Sequence, residues 1–342
     1  MSKYLTKPVL YKAFPKIDLR KYLRNIVFLP RRYESRDECY EETTKHLICF
    51  RQWNEKMVND ILMSAMHLKC MYRDTHHQRL DILPSTKILL LQEVNEPILN
   101  LAVSKAASLL GAAEVNVTDA LMWEKDYNGK IFSDMADVIF VCTKTHMCIQ
   151  RFATRSTVPV LCVISRTHAS LQALATIMSI MEEHGTIQGL NIAYVGAPHP
   201  VLNSYLLLCP MLGANIKFKC CCPNCPVSPL LMNASQELTA KTATQSVQCL
   251  KRELALHQAC VVISGPSPAN KEKIKDFSLC DEVITQCADK EWVFYHTCPR
   301  AEEVDDELFW GPNARTFNAF RNMQYIAAAL MANAAQGLKF HY

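Results

Sequence analysis

Glycine is scarce in this sequence, at 9 residues of 342, against a usual share of about 7%. A chain that cradles a phosphate on backbone amides is expected to carry more. Long apolar runs are missing too: none reaches the roughly 18 residues that a membrane span requires. No secretory apolar core precedes the 16 cysteines, which argues for a reducing compartment rather than a disulfide scaffold. Most of them, such as Cys162 and Cys260, lie in apolar strand-like runs and read as small core residues. Acidic residues are almost absent from the beginning of the chain, where residues 1–33 hold nine Lys or Arg against the single acid Asp18.

What is present describes a globular protein. A hydrophobic content of 49% with 20% charged residues and a net charge of +4 provides for a sizeable core, and the length suits two domains of roughly 150 residues each. The N-terminal charge comes from Lys3, Lys7, Lys12, Lys16, Arg20, Lys21, Arg24, Arg31 and Arg32, the composition of a mitochondrial targeting segment and hence of a matrix protein. Pro8 and Pro15 interrupt a single amphipathic helix, and Ser is nearly absent. A docking arm for RNA or an acidic protein therefore stands beside targeting, with a solvated tail as the bland alternative. Tyr4, Tyr11, Phe14 and Tyr22 interleave with the charges and permit nucleic-acid stacking, although no known nucleic-acid module is present. Residues 1–45 are read as this arm, with Lys12, Lys16, Arg20, Lys21, Arg24, Arg31 and Arg32 as its partner-binding positions.

From His46 onward, apolar runs alternate with helical patterns, the signature of parallel sheets covered by helices. Trp53-Asn54-Glu55-Lys56 opens a helix to about Tyr72. Ile88–Leu91, Glu114–Val117, Val138–Val141 and Val158–Ile164 are strands, and residues 97–110 are a helix. A long helix over 169–184 bridges to a second half of the same design. There Asn191–Gly196 is a strand, 201–212 a helix, Ile216–Phe218 a strand, 234–256 a polar helix and Cys260–Ser264 a strand.

The most diagnostic stretch is 292–325. The run Trp292–Tyr295 reads as a buried strand ending in His296-Thr297-Cys298-Pro299-Arg300, and strand ends are where open α/β sheets place their chemistry. Glu302-Glu303-Val304-Asp305-Asp306-Glu307 follows as an acidic helix start. Phe309-Trp310-Gly311-Pro312 then stops it, and a last helix runs to about Ala335. This pattern resembles the closing segment of the ornithine carbamoyltransferases, in which a strand runs into His-Cys-Leu-Pro-Arg and then Glu-Glu-Val-Asp-Asp-Glu. The resemblance extends from about His46 to Phe340. It implies an α/β fold of two similar domains, each a parallel sheet flanked by helices, behind the basic extension. Residues 46–168 would be a carbamoyl-phosphate-binding-like domain, 169–185 a linker helix, 186–315 an ornithine-binding-like domain, and 316–342 a C-terminal helix packing back on the first.

The same resemblance says where chemistry should be, and those positions are altered. Counting back from Leu109-Leu110-Gly111, the family's Ser-Thr-Arg-Thr-Arg phosphate loop falls on Glu96, Pro97, Ile98, Leu99 and Asn100. Both arginines and all three hydroxyls are gone, and Glu96 adds an acid. Two like charges about 4 Å apart repel by about 4 kcal/mol even at an effective dielectric of about 20. A further expected arginine is Cys142. The family's His-Pro-x-Gln keeps only Gln172, with His168 one residue early and read as a surface or cap histidine. In the amino-acid subsite Gly-Asn-Asn becomes Pro198-His199-Pro200, the acidic residue becomes Gly265, the cysteine becomes Thr297 with Cys298 turned aside on an extended backbone, and the last helix's arginine becomes Met323. His296 and Arg300 remain, with Gln172, as vestiges of the catalytic set.

Cys222-Pro223-Asn224-Cys225 is one Cys-x-x-Cys without a second half nearby, so structural or incidental thiols are expected there rather than a metal. No cofactor is expected. Two functions follow. One is a non-catalytic member of the fold serving as a structural or regulatory subunit of a mitochondrial assembly, with protein partners, RNA through the arm, or a homotrimer as the family's assembly implies. The other is an active carbamoyltransferase acting on ornithine or another amine, supported by Gln172, His296, Arg300 and the fold; fold alone does not license an activity.

Overall fold

Apolar runs pair into two parallel sheets in the computed structural model, which describes residues 46–118, 125, 127–220, 227–267 and 271–335. The basic arm and residues 221–226 lie outside the described residues.

The first sheet holds β1 (Lys87–Gln92), β2 (Ala113–Thr118), β3 (Val138–Cys142) and β4 (Val160–Ile164) in the order β2-β1-β3-β4. Every residue of β3 is buried, and so are Ile88 to Gln92 of β1. Near-continuous burial is what strands covered on both faces require. Helices α1 (Glu55–Asp74), α2 (Pro97–Leu110), α3 (Asn128–Met135) and α4 (His146–Arg155) belong to this half. Asn54 caps α1, its side chain accepting from Met57 N at 2.9 Å, and Gly111 ends α2 at φ +81°, a left-handed stop that suits glycine.

Helix α5 (Ser170–His184) leads to the second sheet, and Ser170 through Ile180 are all buried. That sheet comprises β5 (Asn191–Gly196), β6 (Asn215–Cys220), β7 (Ser246–Gln248), β8 (Val261–Ser264) and β9 (Val293–His296), ordered β7-β6-β5-β8-β9. Its helices are α6 (Pro200–Met211), α7 (Pro229–Thr242), α8 (Arg252–Leu256), α9 (Asp281–Cys287) and α10 (Asp306–Trp310). The final helix, α11 (Thr316–Ala335), packs on α1, α2 and α5. Lys69 of α1 joins these helices at one point, with Nζ 2.7 Å from Glu182 of α5 and 2.8 Å from Asn322 of α11.

Two sequence expectations change. The polar helix over 234–256 is in fact α7, β7 and α8 in succession. Its periodic apolar positions run out at Ala243, which turns to φ +54°, and Ser246–Gln248 beyond then pair with β6. The second is Cys298, which is not extended: its φ is +51°. The acidic hexapeptide does set up a short helix, α10, which begins at Asp306 with Asp305 Oδ1 accepting from Leu308 N at 2.7 Å.

Both sheet orders reverse once, between β1 and β3 and between β5 and β8. In open parallel sheets the crevice beyond the strand ends at such a reversal is where ligands bind.

Candidate functional site

At the first reversal one of the chain's own carboxylates, half-buried, bridges the strand ends. Glu93 directly follows β1, and its Oε2 accepts from the Thr143 hydroxyl at 2.5 Å and from Lys144 N at 2.8 Å, both just beyond β3. A hydroxyl and a backbone amide converging beyond a strand end are donors an external anion would use; here Glu93 holds both. The following turn leads into α2 with Glu96 as N-cap, its side chain making no cap bond, and with Pro97 in the first turn, where it offers no N–H. Ile98 is exposed and Leu99 buried. Asn100 Oδ1 accepts from Asn116 Nδ2 at 3.2 Å. Cys142 is fully buried, and burial pushes its thiol far up, with the charges of Cys162 and Glu96 acting the same way.

Backbone bonds cross the second reversal. Gly265 N donates to Val195 O at 2.8 Å and Ala197 N to Pro266 O at 2.9 Å. The Tyr194 hydroxyl donates to Ala197 O at 2.6 Å. A Cβ on Gly196, whose φ is +149°, would meet Gly265 N at 2.7 Å. Pro200 occupies the first turn of α6, and His199 caps that helix, its Nδ1 accepting from Val201 N at 3.2 Å.

The residues expected as vestiges of a catalytic set are engaged within the fold. Gln172 Nε2 donates to Thr297 O at 2.8 Å. His296 Nδ1 accepts from Cys298 N at 2.8 Å, so the ring proton is on Nε2, which donates to Glu303 Oε1 at 2.8 Å. Arg300 pairs with Asp306 at 2.6 Å and lies over the Phe309 ring at 4.6 Å. Burial, then the Glu303 charge, push the Cys298 thiol up to about 11, which keeps it protonated at neutral pH. A cavity of about 10 Å³ lies among Gln172, Tyr205, Tyr295, Thr297 and Met323, space for about one water. Thr297 Oγ1, buried and without a hydrogen-bond partner, lines it.

His168 is not a surface or cap residue: it is buried, its Nδ1 3.4 Å from Ser204 Oγ. Burial, then the neighbouring His146, lower it to about 3. His146, His168 and Cys49, distant in sequence, bring one ligand atom each within 4.8 Å of one another. The Cys-x-x-Cys weighed from sequence lies outside the described residues. Sequence reasoning also missed Glu93 and Glu303. Glu93 directly follows an apolar strand, which was the available signal; Glu303 is hidden in an acidic run whose neighbours are exposed.

Residues 188–334 match the family model for the Asp/Orn binding domain of aspartate/ornithine carbamoyltransferase. The mitochondrial ornithine transcarbamylase of Gallus gallus is 24% identical over 212 residues, 60% of this chain and 60% of that protein. The ornithine carbamoyltransferase of Chromobacterium violaceum is 27% identical over 59% of this chain and 67% of its own length. The chain thus spans less than two thirds of the length of the chicken relative. In structure it is similar to ornithine carbamoyltransferase from Pyrococcus furiosus, with a TM-score of 0.79 at 21% identity over 86% of this chain and 98% of that one. The mitochondrial enzyme from Coccidioides immitis gives the same score and identity over 87% of this chain and 100% of its own. Residues 188–334 thus match the Asp/Orn binding domain of aspartate/ornithine carbamoyltransferase, and the chain shares the two-sheet fold of the ornithine carbamoyltransferases along both halves.

Proposed function

We propose that this chain is a non-catalytic carbamoyltransferase-fold protein that serves as a structural or regulatory subunit of a mitochondrial assembly. The observation that carries the reading is the Glu93 carboxylate bonded to Thr143 and Lys144 N. A carbamoyl phosphate dianion would have to displace a like charge from those donors, with no arginine in the adjoining turn to repay it. Losing even one such donor for a developing charge costs on the order of 3 kcal/mol of transition-state stabilisation. Among the described residues, Tyr194 and the close Gly196–Gly265 approach occupy part of the second crevice, which argues against an amino-acid substrate there.

The assembly half of the reading rests on surface and composition. Ile98 and Leu101 of α2 and Val115 of β2 are exposed apolar side chains, a face suited to protein contact, whether with copies of this chain in a homotrimer or with other subunits. The basic residues 1–33 supply targeting to the mitochondrial matrix or a docking arm for an acidic protein or RNA.

Ligand binding tests the first half. A ligand at 100 times its Kd stabilises a native state by about 2.7 kcal/mol. Carbamoyl phosphate, alone and with ornithine, is expected to leave the melting temperature unchanged and to yield no citrulline; a clear rise or turnover overturns the reading. Affinity purification from mitochondria tests the second half, with stable partners expected. Recovery of the chain only as a lone monomer or trimer would defeat the assembly role.

A further inference from the structure

His146, two residues beyond Lys144, belongs to a cluster with the chemistry of a metal centre. Leu47 pairs with Leu161 of β4, with Leu47 N donating to Val160 O at 3.0 Å and Cys162 N to Leu47 O at 2.7 Å. This pairing lays the segment carrying Cys49 alongside the last strand of the first sheet. His146 opens α4 after β3, and His168 lies in the turn between β4 and α5. Three separate connections thus deliver a thiol and two imidazoles to one place, their ligand atoms within 4.8 Å of one another. The two rings meet edge to face, with centroids 5.4 Å apart.

Each imidazole also has a hydroxyl behind it. Ser165 Oγ is 3.3 Å from His146 Nδ1, and Ser204 Oγ is 3.4 Å from His168 Nδ1. Ser165 is itself fixed by the β4–α5 turn, where its hydroxyl accepts from His168 N at 3.1 Å and from Thr167 N at 3.2 Å. Histidines that ligate a metal characteristically spend the second ring nitrogen on such a partner, which orients the ring. Metal bonds of about 2.0–2.1 Å to nitrogen and about 2.3 Å to sulfur put tetrahedral ligands roughly 3.3–3.6 Å apart. Small side-chain movements would therefore close the cluster.

We propose that Cys49, His146 and His168 form a three-ligand Zn²⁺ site with a fourth position open to water or to a donor from a partner. One thiolate with two imidazoles selects zinc over magnesium or calcium, which take oxygen ligands. On binding, the Cys49 S–H bond gives its proton to solvent as the sulfur–zinc bond forms. Cys49 and His146 are only half-buried, which leaves the site an entry. The ion would staple the entering segment at Cys49 to the ends of β3 and β4.

The test uses the full chain, stripped with chelator and titrated with Zn²⁺ and then Co²⁺. One equivalent is expected to bind and to raise the melting temperature, with Co²⁺ giving intense visible bands of tetrahedral geometry and a thiolate charge-transfer band. Cys49→Ser is expected to abolish the charge-transfer band. His146→Gln should weaken binding by about tenfold or more, and its half-buried position provides a variant that folds should Cys49→Ser fail to. Cys222→Ser and Cys225→Ser should change neither. Failure of the wild-type chain to bind, binding unaltered in both Cys49→Ser and His146→Gln, or loss of the bands in Cys225→Ser overturns the proposal.

Discussion

His296 and Glu303 meet inside the protein, the imidazole Nε2 donating to Oε1 across 2.8 Å, with both side chains shut off from solvent. The pair also holds the turn between them. Cys298 N donates to the other ring nitrogen at 2.8 Å, and Ala301 N donates to both oxygens of Glu303, at 3.0 and 3.1 Å. The residue that sequence placed among catalytic vestiges thus acts as the inner clasp of the β9–α10 connection. Burial would raise the Glu303 carboxyl, but the bonds from His296 and Ala301 outweigh it and hold it below its ordinary 4.5. A carboxylate depressed in the folded state stabilises above its unfolded value, and that contribution is lost as pH falls through the folded value. Glu303→Gln is expected to cost about 1.5–3 kcal/mol at neutral pH and to flatten the acid limb of stability below about pH 4.5. Denaturant melts at pH 7 and pH 4 check this; an unchanged acid limb in the variant would show that Glu303 is not the group responsible.

Glu93 makes a second, separable prediction. If its carboxylate completes the crevice between β1 and β3, removing the charge unbalances Thr143 and Lys144 N together. Glu93→Gln keeps an acceptor and is expected to cost about 1 kcal/mol, whereas Glu93→Ala removes both bonds, the Lys144 one at solvent, and should cost about 2 kcal/mol. A double-mutant cycle with Thr143→Val should give a coupling of at least about 0.5 kcal/mol. Strict additivity would mean that Glu93 contributes nothing through Thr143.

Much of this architecture is visible in sequence because it is written in apolar periodicity. The predicted helix 97–110 and the predicted strand Asn191–Gly196 coincide with α2 and β5, both bounded by Pro or Gly and dense in buried side chains. The split of 234–256 was illegible, since β7 is a three-residue strand whose pairing comes from β6 rather than from its own pattern. Site chemistry was legible only as departure from a family pattern. What fills each crevice depends on rotamers and on residues far apart in the chain, such as Glu93 with Thr143, which carry no local spacing. For the same reason the grouping of Cys49, His146 and His168 leaves no motif to read.

Restoring an acid at Gly265 should fail to restore a substrate pocket. A Cβ there would fall within 2.8 Å of Ala197 O and against the Tyr194 hydroxyl. Gly265→Asp therefore drives a charge into a space already filled and breaks the 2.6 Å Tyr194–Ala197 bond. Overpacking costs about 1–3 kcal/mol, and an unpaired buried carboxylate adds to it. A melting temperature lowered by several degrees with no binding of ornithine by calorimetry is expected. Ornithine binding by this variant would mean that the second crevice opens more readily than its backbone bonds suggest.

The last prediction concerns mildly acidic pH, where two half-buried histidines oppose protonation for a geometric reason. His46 Nδ1 accepts from Val160 N at 3.1 Å, and His199 Nδ1 accepts from Val201 N at 3.2 Å. Protonating either nitrogen turns an acceptor into a donor aimed at another donor. Burial lowers both to about 4 from an ordinary 6.5, with the neighbouring His296 acting the same way at His199. In the unfolded chain the same rings protonate near 6.5, so between those values the unfolded state binds more protons and stability falls as pH falls. Each histidine should contribute a slope of up to about 1.4 kcal/mol per pH unit across that window, and nothing above about pH 7. Glutamine at 46 and asparagine at 199 offer amide oxygens that accept the same N–H without titrating. His46→Gln and His199→Asn should therefore each flatten the loss of stability between pH 6.5 and pH 4 while changing little at pH 8. Unfolding curves for each variant that run parallel to wild type across this window would show that the acid sensitivity arises elsewhere.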